Sequence, residues 1–515
     1  MLVPSLLWAL LLAACGGEDP CIERDWYPDG DGDGYGVTEG AVTTCVAGTG
    51  FVAEATDCDD ASAGTSPAAH EICGDGIDQD CDSGDCTSLS DAETRLVAEH
   101  EHDAAGAAVY AGDLDGDGQG DVLVGAHHGG DDRTGAAYVV LGPFGRQLDL
   151  ADADATLIGE SVEGWAGWSV SAGDIDGDAM MDLVVGAWGV QDNAGAVYVV
   201  SGPVSGRSDL SNATGKLNGE NANAAAGWSV GVMDMDGDGP CDVIVGAIGD
   251  ATGGADAGAV YVMRGPVFGD VDLGDAGAKL VGEAPGAAVG LSVYPSDLDG
   301  DGLGDLVVGS AHAEAAYIVF GPIAGELDLA DADAKLTTGG GPKYTGTSVY
   351  AYDLDGDGDE EVIVGAPGHS AGGEYAGLAY VVQGPVSGSV DLGEADAKLV
   401  GEDGGDWAGG AVSAGDFDAD GIGDIVVGAP EETNANPGPM AGQVYIVRGP
   451  AWGTMDLSTA DVELVGEMDG DGAGSQLSVG NLGGDLGAYL LIGAPYSQAA
   501  GEMAGAAYVV HGGGL

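Results

Sequence analysis

The chain has 515 residues, 44% of them apolar, and sets 87 Asp and Glu against only 12 Lys and Arg, for a formal charge of −75. The apolar share is enough to bury a core, so this is not a disordered acidic polymer, while the scarcity of basic residues argues against nucleic acid and anionic membrane surfaces as partners. Cations, or neutral and basic ligands, suit the balance, and a saline habitat would favour the same acidity.

Residues 1–15 read as a targeting segment, with a short apolar run from Leu6 to Leu12 followed by Ala13-Ala14-Cys15-Gly16-Gly17. This is similar to a bacterial lipoprotein signal, which implies lipidation of Cys15 and a place on the outer membrane or cell surface, or else simple secretion. Met1 to Ser5 depart from the pattern by lacking any Lys or Arg. Residues 16–88 form a small Asp- and Cys-rich module. Its clustered Cys21, Cys45, Cys58, Cys73, Cys81 and Cys86 read as three disulfides in an exported chain, with the pairing open. Few apolar residues are available, so disulfides and bound metal must do what a core would do. Asp29, Asp31 and Asp33 are the first candidate ligands, and oxygen donors favour Ca²⁺. The stretches Asp57-Cys58-Asp59-Asp60 and Cys73-Gly74-Asp75-Gly76 resemble a metal-binding repeat found beside a copper-binding bacterial surface protein. His70 is the module's one histidine, which speaks against copper here.

From residue 89 to 515 the chain repeats with a period of about 60 residues. In the second unit, Trp168-Ser169-Val170-Ser171-Ala172, Leu183-Val184-Val185-Gly186-Ala187, Ala196-Val197-Tyr198-Val199-Val200 and a segment around Lys216-Leu217 are short, Val- and Tyr-rich and bounded by Gly and Pro. Such segments read as strands, and seven units of four strands predict an all-β, seven-bladed propeller. The last unit stops after its third strand, and Arg95-Leu96-Val97-Ala98-Glu99 matches the fourth strands elsewhere, such as Lys398-Leu399-Val400-Gly401-Glu402. The N-terminal strand should therefore complete the last blade and close the ring, removing two exposed edges.

Between the first two strands of each unit lies an acidic loop with oxygen donors at positions 1, 3, 5 and 9. They are Asp113, Asp115, Asp117 and Asp121, then Asp174, Asp176, Asp178 and Asp182, then Asp234, Asp236, Asp238 and Asp242. Asp297, Asp299, Asp301 and Asp305 follow, then Asp353, Asp355, Asp357 and Glu361, then Asp416, Asp418, Asp420 and Asp424. An EF-hand needs Glu at position 12 and flanking helices, but position 12 is valine in all six and the flanks are strands. A shorter Ca²⁺ loop remains, with about six cations expected in the propeller. The seventh loop, Asn481 to Tyr489, keeps only Asp485 and should bind none.

Repeats running Gly-Trp-Ser-Val, Gly-Asp-Ile-Asp-Gly-Asp, Val-Val-Gly-Ala and Gly-Ala-Val-Tyr resemble the FG-GAP repeats of the integrin α-subunit propeller. Gly365-Ala366-Pro367, Gly428-Ala429-Pro430 and Gly493-Ala494-Pro495 keep the Gly-Ala-Pro signature, whereas the Phe-Gly half is mostly lost. The resemblance implies Ca²⁺ on one face and a macromolecular ligand, protein or carbohydrate, on the other. That opposite face should display His127, His128, Arg133, Trp165, Trp188, Tyr375 and Trp407. Packing between blades is the competing reading for the tryptophans, and His100, His102, His127 and His128 could equally be plain loop residues or a transition-metal cluster. Cys241, at position 8 of the third loop, has no obvious partner. The expected function is a calcium-binding, non-catalytic adhesion or ligand-binding module. A matrix or coat component and an accessory domain of a secreted hydrolase are the alternatives.

Overall fold

The computed structural model describes residues 24–30, 35–38, 41–44, 48–53, 56, 58, 62, 88–130, 133–145, 147–339, 343–431, 440–481 and 488–511. Contacts divide the chain into two compact units, one comprising Met1–Ile72 and Gly76–Asp85, the other Cys73–Asp75 and Cys86–Leu515. In the first, Arg24–Pro28 pairs antiparallel with Val42–Thr44 and with Phe51–Val52. The Trp26 indole donates to the Thr44 carbonyl at 3.1 Å, and the Arg24 guanidinium lies 3.8 Å over its ring. Cys58 is disulfide-bonded. Cys15, Asp31, Asp33 and the remaining cysteines of the cluster lie outside the described residues.

The second unit is all-β, consistent with a β-propeller. Its described residues form seven sheets with the same antiparallel order of four strands. In the first sheet these are Ala105–Gly112, Asp121–Ala126, Ala136–Val140 and Ala155–Ile158. Second and third strands are buried along nearly their whole length, because another sheet covers each face. Fourth strands alternate, as in Gly215–Asn218, where Leu217 is buried and Lys216 half-buried. Each of seven apolar clusters draws on two successive sheets; one joins Val124 and Tyr138 of the first sheet to Leu491 and Val509 of the last. The last sheet, Gln476–Asn481, Ala488–Ala494 and Ala506–His511, takes Thr94–Val97 as its fourth strand, so the two ends of the repeat array meet in one sheet.

Successive sheets touch backbone to backbone at a glycine of the second strand. A Cβ on Gly125 would stand 2.1 Å from the Gly167 carbonyl oxygen, and one on Gly493 would stand 2.1 Å from that of Gly106, across the closing junction.

One element was not expected. After each Gly-Pro turn a short exposed strand, such as Gly206–Asp209, pairs in parallel with the fourth strand of the preceding sheet. It ends in an aspartate that caps a single 3₁₀ turn, whose leucine (Leu150, Leu210, Leu273, Leu329, Leu392 and Leu457) is buried. Ser88 and Leu89 repeat the device at the start of the unit, with Ser88 bridging Val465 in parallel. Apart from these turns and Val190–Asn193, no helix occurs among the described residues, and none is long and apolar enough to cross a membrane.

The closing seam contains a titratable group. Glu93 accepts the His511 N–H at 2.7 Å, and burial pushes its carboxyl up to about 7, only partly offset by that bond. The folded protein therefore holds a proton that the unfolded chain has released between about pH 4.5 and 7, and stability falls as pH rises through that window. Glu93→Gln should remove this part of the pH dependence and melt higher than the parent at pH 8. An unchanged melting profile between pH 5 and 8 would show that Glu93 does not contribute.

Candidate metal centres and the opposite face

The acidic loops fold on their own backbone. In the second, Asp174 Oδ1 accepts the N–H groups of Gly177 and Asp178 at 2.8 and 3.0 Å, and its Oδ2 accepts that of Ala179 at 2.9 Å. Asp178 takes the Met180 N–H at 2.8 Å and points to solvent. Two residues of this loop, Gly177 and Ala179, have φ of 78° and 69°, the left-handed region that favours glycine, and the first, third, fourth and fifth loops place glycine at both positions.

Position 9 does something the spacing does not announce. Asp121, Asp182, Asp242, Asp305, Glu361 and Asp424 are buried to 2% exposure or less. Asp182 Oδ2 accepts the Ile175 N–H at 2.9 Å, and its Oδ1 accepts the Gly202 N–H at 3.0 Å from the Gly-Pro turn beyond the third strand. The same bridge recurs from Asp121 to Leu114 and Gly142 and from Asp305 to Leu298 and Gly321. Burial is the largest cause that raises all six carboxyls, backbone N–H groups partly offset it, and neighbouring loop carboxylates add to it; Asp242 and Asp305 are pushed up to about 6 and Glu361 to about 7. A nearby cation would reverse this by favouring the charged form.

The donor set suits a hard cation. In the first four loops the carboxylates of positions 1, 3 and 9 bring one oxygen each within 4.8 Å of one another, a span that one ion can bridge when each oxygen stands about 2.3–2.6 Å from it. Asp176 Oδ1, Asp236 Oδ1 and Asp297 Oδ1 are buried atoms without a hydrogen-bond partner, left over for such an ion. In the fifth loop Asp353, Asp355 and Asp357 gather instead, and the longer Glu361 reaches the Gly384 N–H only at 3.4 Å. The seventh loop, with Asp485, lies outside the described residues.

Position 3 also meets the residue that precedes the Gly-Pro turn, and this residue differs between repeats. Arg264 reaches Asp236 at 2.6 Å and Arg448 reaches Asp418 at 3.8 Å, whereas Ser201 and Gln383 offer neutral donors to Asp176 and Asp355 at 3.3 and 3.1 Å. Leu141 and Phe320 occupy this place in the first and fourth repeats. Cys241 is a free cysteine packed among the apolar side chains between the second and third sheets.

At the other end of the strands, several non-glycine residues adopt left-handed backbone. Trp165, Tyr344 and Trp407 have φ of 55–59° where Ala104, Ala225 and Ala288 stand in other repeats, and Arg133, Tyr375, Met440 and Met503 mark a second such position. Bulky side chains there cost about 1 kcal/mol or more. Trp407 stacks against both Tyr375 and Tyr344, with ring centroids 5.6 and 5.8 Å apart. Trp165 and Trp188 meet at 4.1 Å, and His128 packs edge-on to Trp165 at 6.3 Å. Two residues that the sequence did not mark for this face complete the second group: Trp168 lies 4.9 Å from His127 and 4.8 Å from Trp228. Both follow the repeated glycine of the first strand, and that register was the available signal. Burial lowers His127 to about 3 and also lowers His128, so both are neutral ring partners, while His100 faces Asp103 at 3.6 Å.

Four-stranded sheets with an acidic loop between their first two strands define the class of repeat. The FG-GAP repeat family matches residues 105–140, 166–200, 345–382 and 408–447, so the chain carries FG-GAP repeats. Residues 57–85 match the family described as "Putative metal-binding motif". Phosphatidylinositol-glycan-specific phospholipase D of Rattus norvegicus is 27% identical over 318 residues, 56% of this chain and 37% of that protein. Human integrin alpha-X is 33% identical over 152 residues, 28% of this chain and 13% of that protein, and integrin alpha pat-2 of Caenorhabditis elegans is 39% identical over 85 residues, 16% and 7%. The chain thus spans little more than a third of the length of these relatives at most. A solved exotype rhamnogalacturonan lyase, YesX, overlays with a TM-score of 0.40 at 12% identity, covering 82% of this chain and 73% of that one, too distant to bear on function.

Asp182→Ala, measured in chelator so that no ion contributes, should lower the melting temperature several times more than Asp178→Ala. It orphans the Ile175 and Gly202 N–H groups, each costing about 1–3 kcal/mol, whereas Asp178 is exposed. Equal losses would show that position 9 serves only an ion.

Proposed function

We propose that the chain is an exported, non-catalytic adhesion or ligand-binding module: a seven-bladed propeller closed by its N-terminal strand, stiffened by Ca²⁺ and held at the cell surface through Cys15. The observation that carries this reading is the contrast between the two ends of the strands. One end repeats acidic loops with buried, unpartnered carboxylate oxygens, and the other displays strained aromatic side chains. Ca²⁺ fits the loops because every donor is an oxygen and the loops are flexible, glycine-bearing turns. A disulfide-braced, cation-binding module from residue 16 to 88 completes the reading. Similarity to a phospholipase D over part of its length favours a second reading, that of an accessory domain of a hydrolase. Faster turnover of phosphatidylinositol-glycan substrates by a hydrolase when the purified chain is added would support that reading against the first.

Millimolar Ca²⁺ should raise the melting temperature by roughly 5 °C or more over chelated protein, because a ligand bound only by the folded state stabilises it. Equilibrium dialysis should return about six ions per propeller, and Mg²⁺ should substitute poorly. Identical melting with and without Ca²⁺ would remove the calcium reading.

The six loops should also differ in affinity. Arg264 and Arg448 bring a positive charge to the third and sixth loops, so these should fill last. Arg264→Leu should tighten the weakest class of sites in a calorimetric titration, and no change in that class would show that the arginine does not compete.

A further inference from the structure

Seven structurally equivalent residues, each directly after the glycine that opens a first strand, are Ala107, Trp168, Trp228, Leu291, Thr347, Gly410 and Ser475. All seven line a single axial cavity of about 810 Å³, within the range of about 300–1,000 Å³ common for small-ligand sites. They form its rim at the end remote from the acidic loops, since each first strand runs from this rim towards its loop. The rim is lopsided. Trp168 and Trp228 make an indole wall on the second and third repeats, backed by Trp188 at 5.8 and 5.5 Å, whereas Thr347, Gly410 and Ser475, from repeats five to seven, leave the far side small and hydroxyl-bearing.

The lining has a second property. Among the described residues it includes serines, Gln476, Tyr110, Tyr294 and Tyr350, but not one Asp, Glu, Lys or Arg, in a chain with 87 acidic residues. At the same end, Trp188 Nε1 and His127 Nδ1 are buried without hydrogen-bond partners.

We infer that the mouth of this axial cavity binds a neutral saccharide, with the sugar's C–H face on Trp168 and Trp228 and its hydroxyls towards Thr347, Ser475 and His127. This rests on the ligand-binding reading above and names its ligand class. Indole faces with neutral hydrogen-bonding groups across from them match a ring that is apolar on its faces and polar at its edge. A quaternary cation would also stack on indole, but it would leave water without a counter-charge in the lining, while carboxylates elsewhere on the surface compete for it. A uronate would meet the field of a −75 chain.

The test uses the full chain in Ca²⁺ buffer with cellohexaose, chitohexaose, mannohexaose and xylohexaose, read by tryptophan fluorescence and calorimetry. At least one should bind at millimolar concentration or below with a change in indole emission. Trp168→Ala and Trp228→Ala should each weaken that binding at least tenfold without loss of the folded melting transition, while Trp452→Ala, exposed and outside the cavity, should leave it unchanged. Binding of none of the four, binding indifferent to both rim substitutions, or preference for tetramethylammonium or oligogalacturonate would overturn the inference. Adhesion of the protein to cell surfaces that survives both substitutions would overturn the saccharide site while leaving the adhesion reading standing.

Discussion

The structure depends on backbone meeting backbone between neighbouring sheets. At each junction a second-strand glycine faces the carbonyl of the glycine that opens the next first strand, with no room for a side chain: Gly125 on Gly167, Gly365 on Gly409, Gly493 on Gly106. Any Cβ would force the neighbouring sheets apart at these junctions. The repeated Val-Val-Gly-Ala motif is therefore a steric rule before it is a packing preference. The flanking valines bury their side chains on both faces, and the glycine sets how closely the faces stack.

Five of the chain's 12 basic residues serve the contacts between neighbouring sheets. Arg95, Lys216, Lys279, Lys335 and Lys398 occupy one register position in the fourth strands of the last and the second to fifth sheets. Four of them reach back to a glutamate just after the preceding fourth strand: Arg95 to Glu467 at 3.0 Å, Lys279 to Glu220 at 2.7 Å, Lys216 to Glu160 and Lys335 to Glu283. The glutamates Glu160 and Glu220 also accept from the buried third-strand tyrosines Tyr198 and Tyr261 at 2.9 Å. These pairs are half-buried and networked, the setting in which ion pairs contribute more than isolated surface ones. The remaining acidity is left to the loops and the outer surface.

Much of this was legible in the sequence, because strands buried on both faces must be apolar and the acidic loops must keep their spacing. The short parallel strands were not legible. Gly206–Asp209 and its counterparts are mostly exposed and offer at most one half-buried apolar side chain each, such as Val271 and Val390, too short a signal to record the bond they make to another repeat's edge. The loop carboxylates could be counted, yet their division of labour could not. Asp182 and Asp178 are the same residue type four positions apart, and only the packed structure buries one and exposes the other. The tryptophans show the same limit: Trp165 and Trp188 stood out in loops, whereas Trp168 and Trp228 looked like ordinary strand residues until the repeats were brought around one axis.

Thr94–Val97 lies between Ala506–His511 on one side and Gln147–Asp149 on the other, antiparallel to the first and parallel to the second. A pull on the segment before residue 94 would enter the unit along the axis of that strand and load both ladders in shear. Their hydrogen bonds would then have to fail together rather than one after another, and the load would pass at once into the first and the last repeats. A ring joined in this way is a mechanical clamp, able to carry tension through the point where its two ends meet.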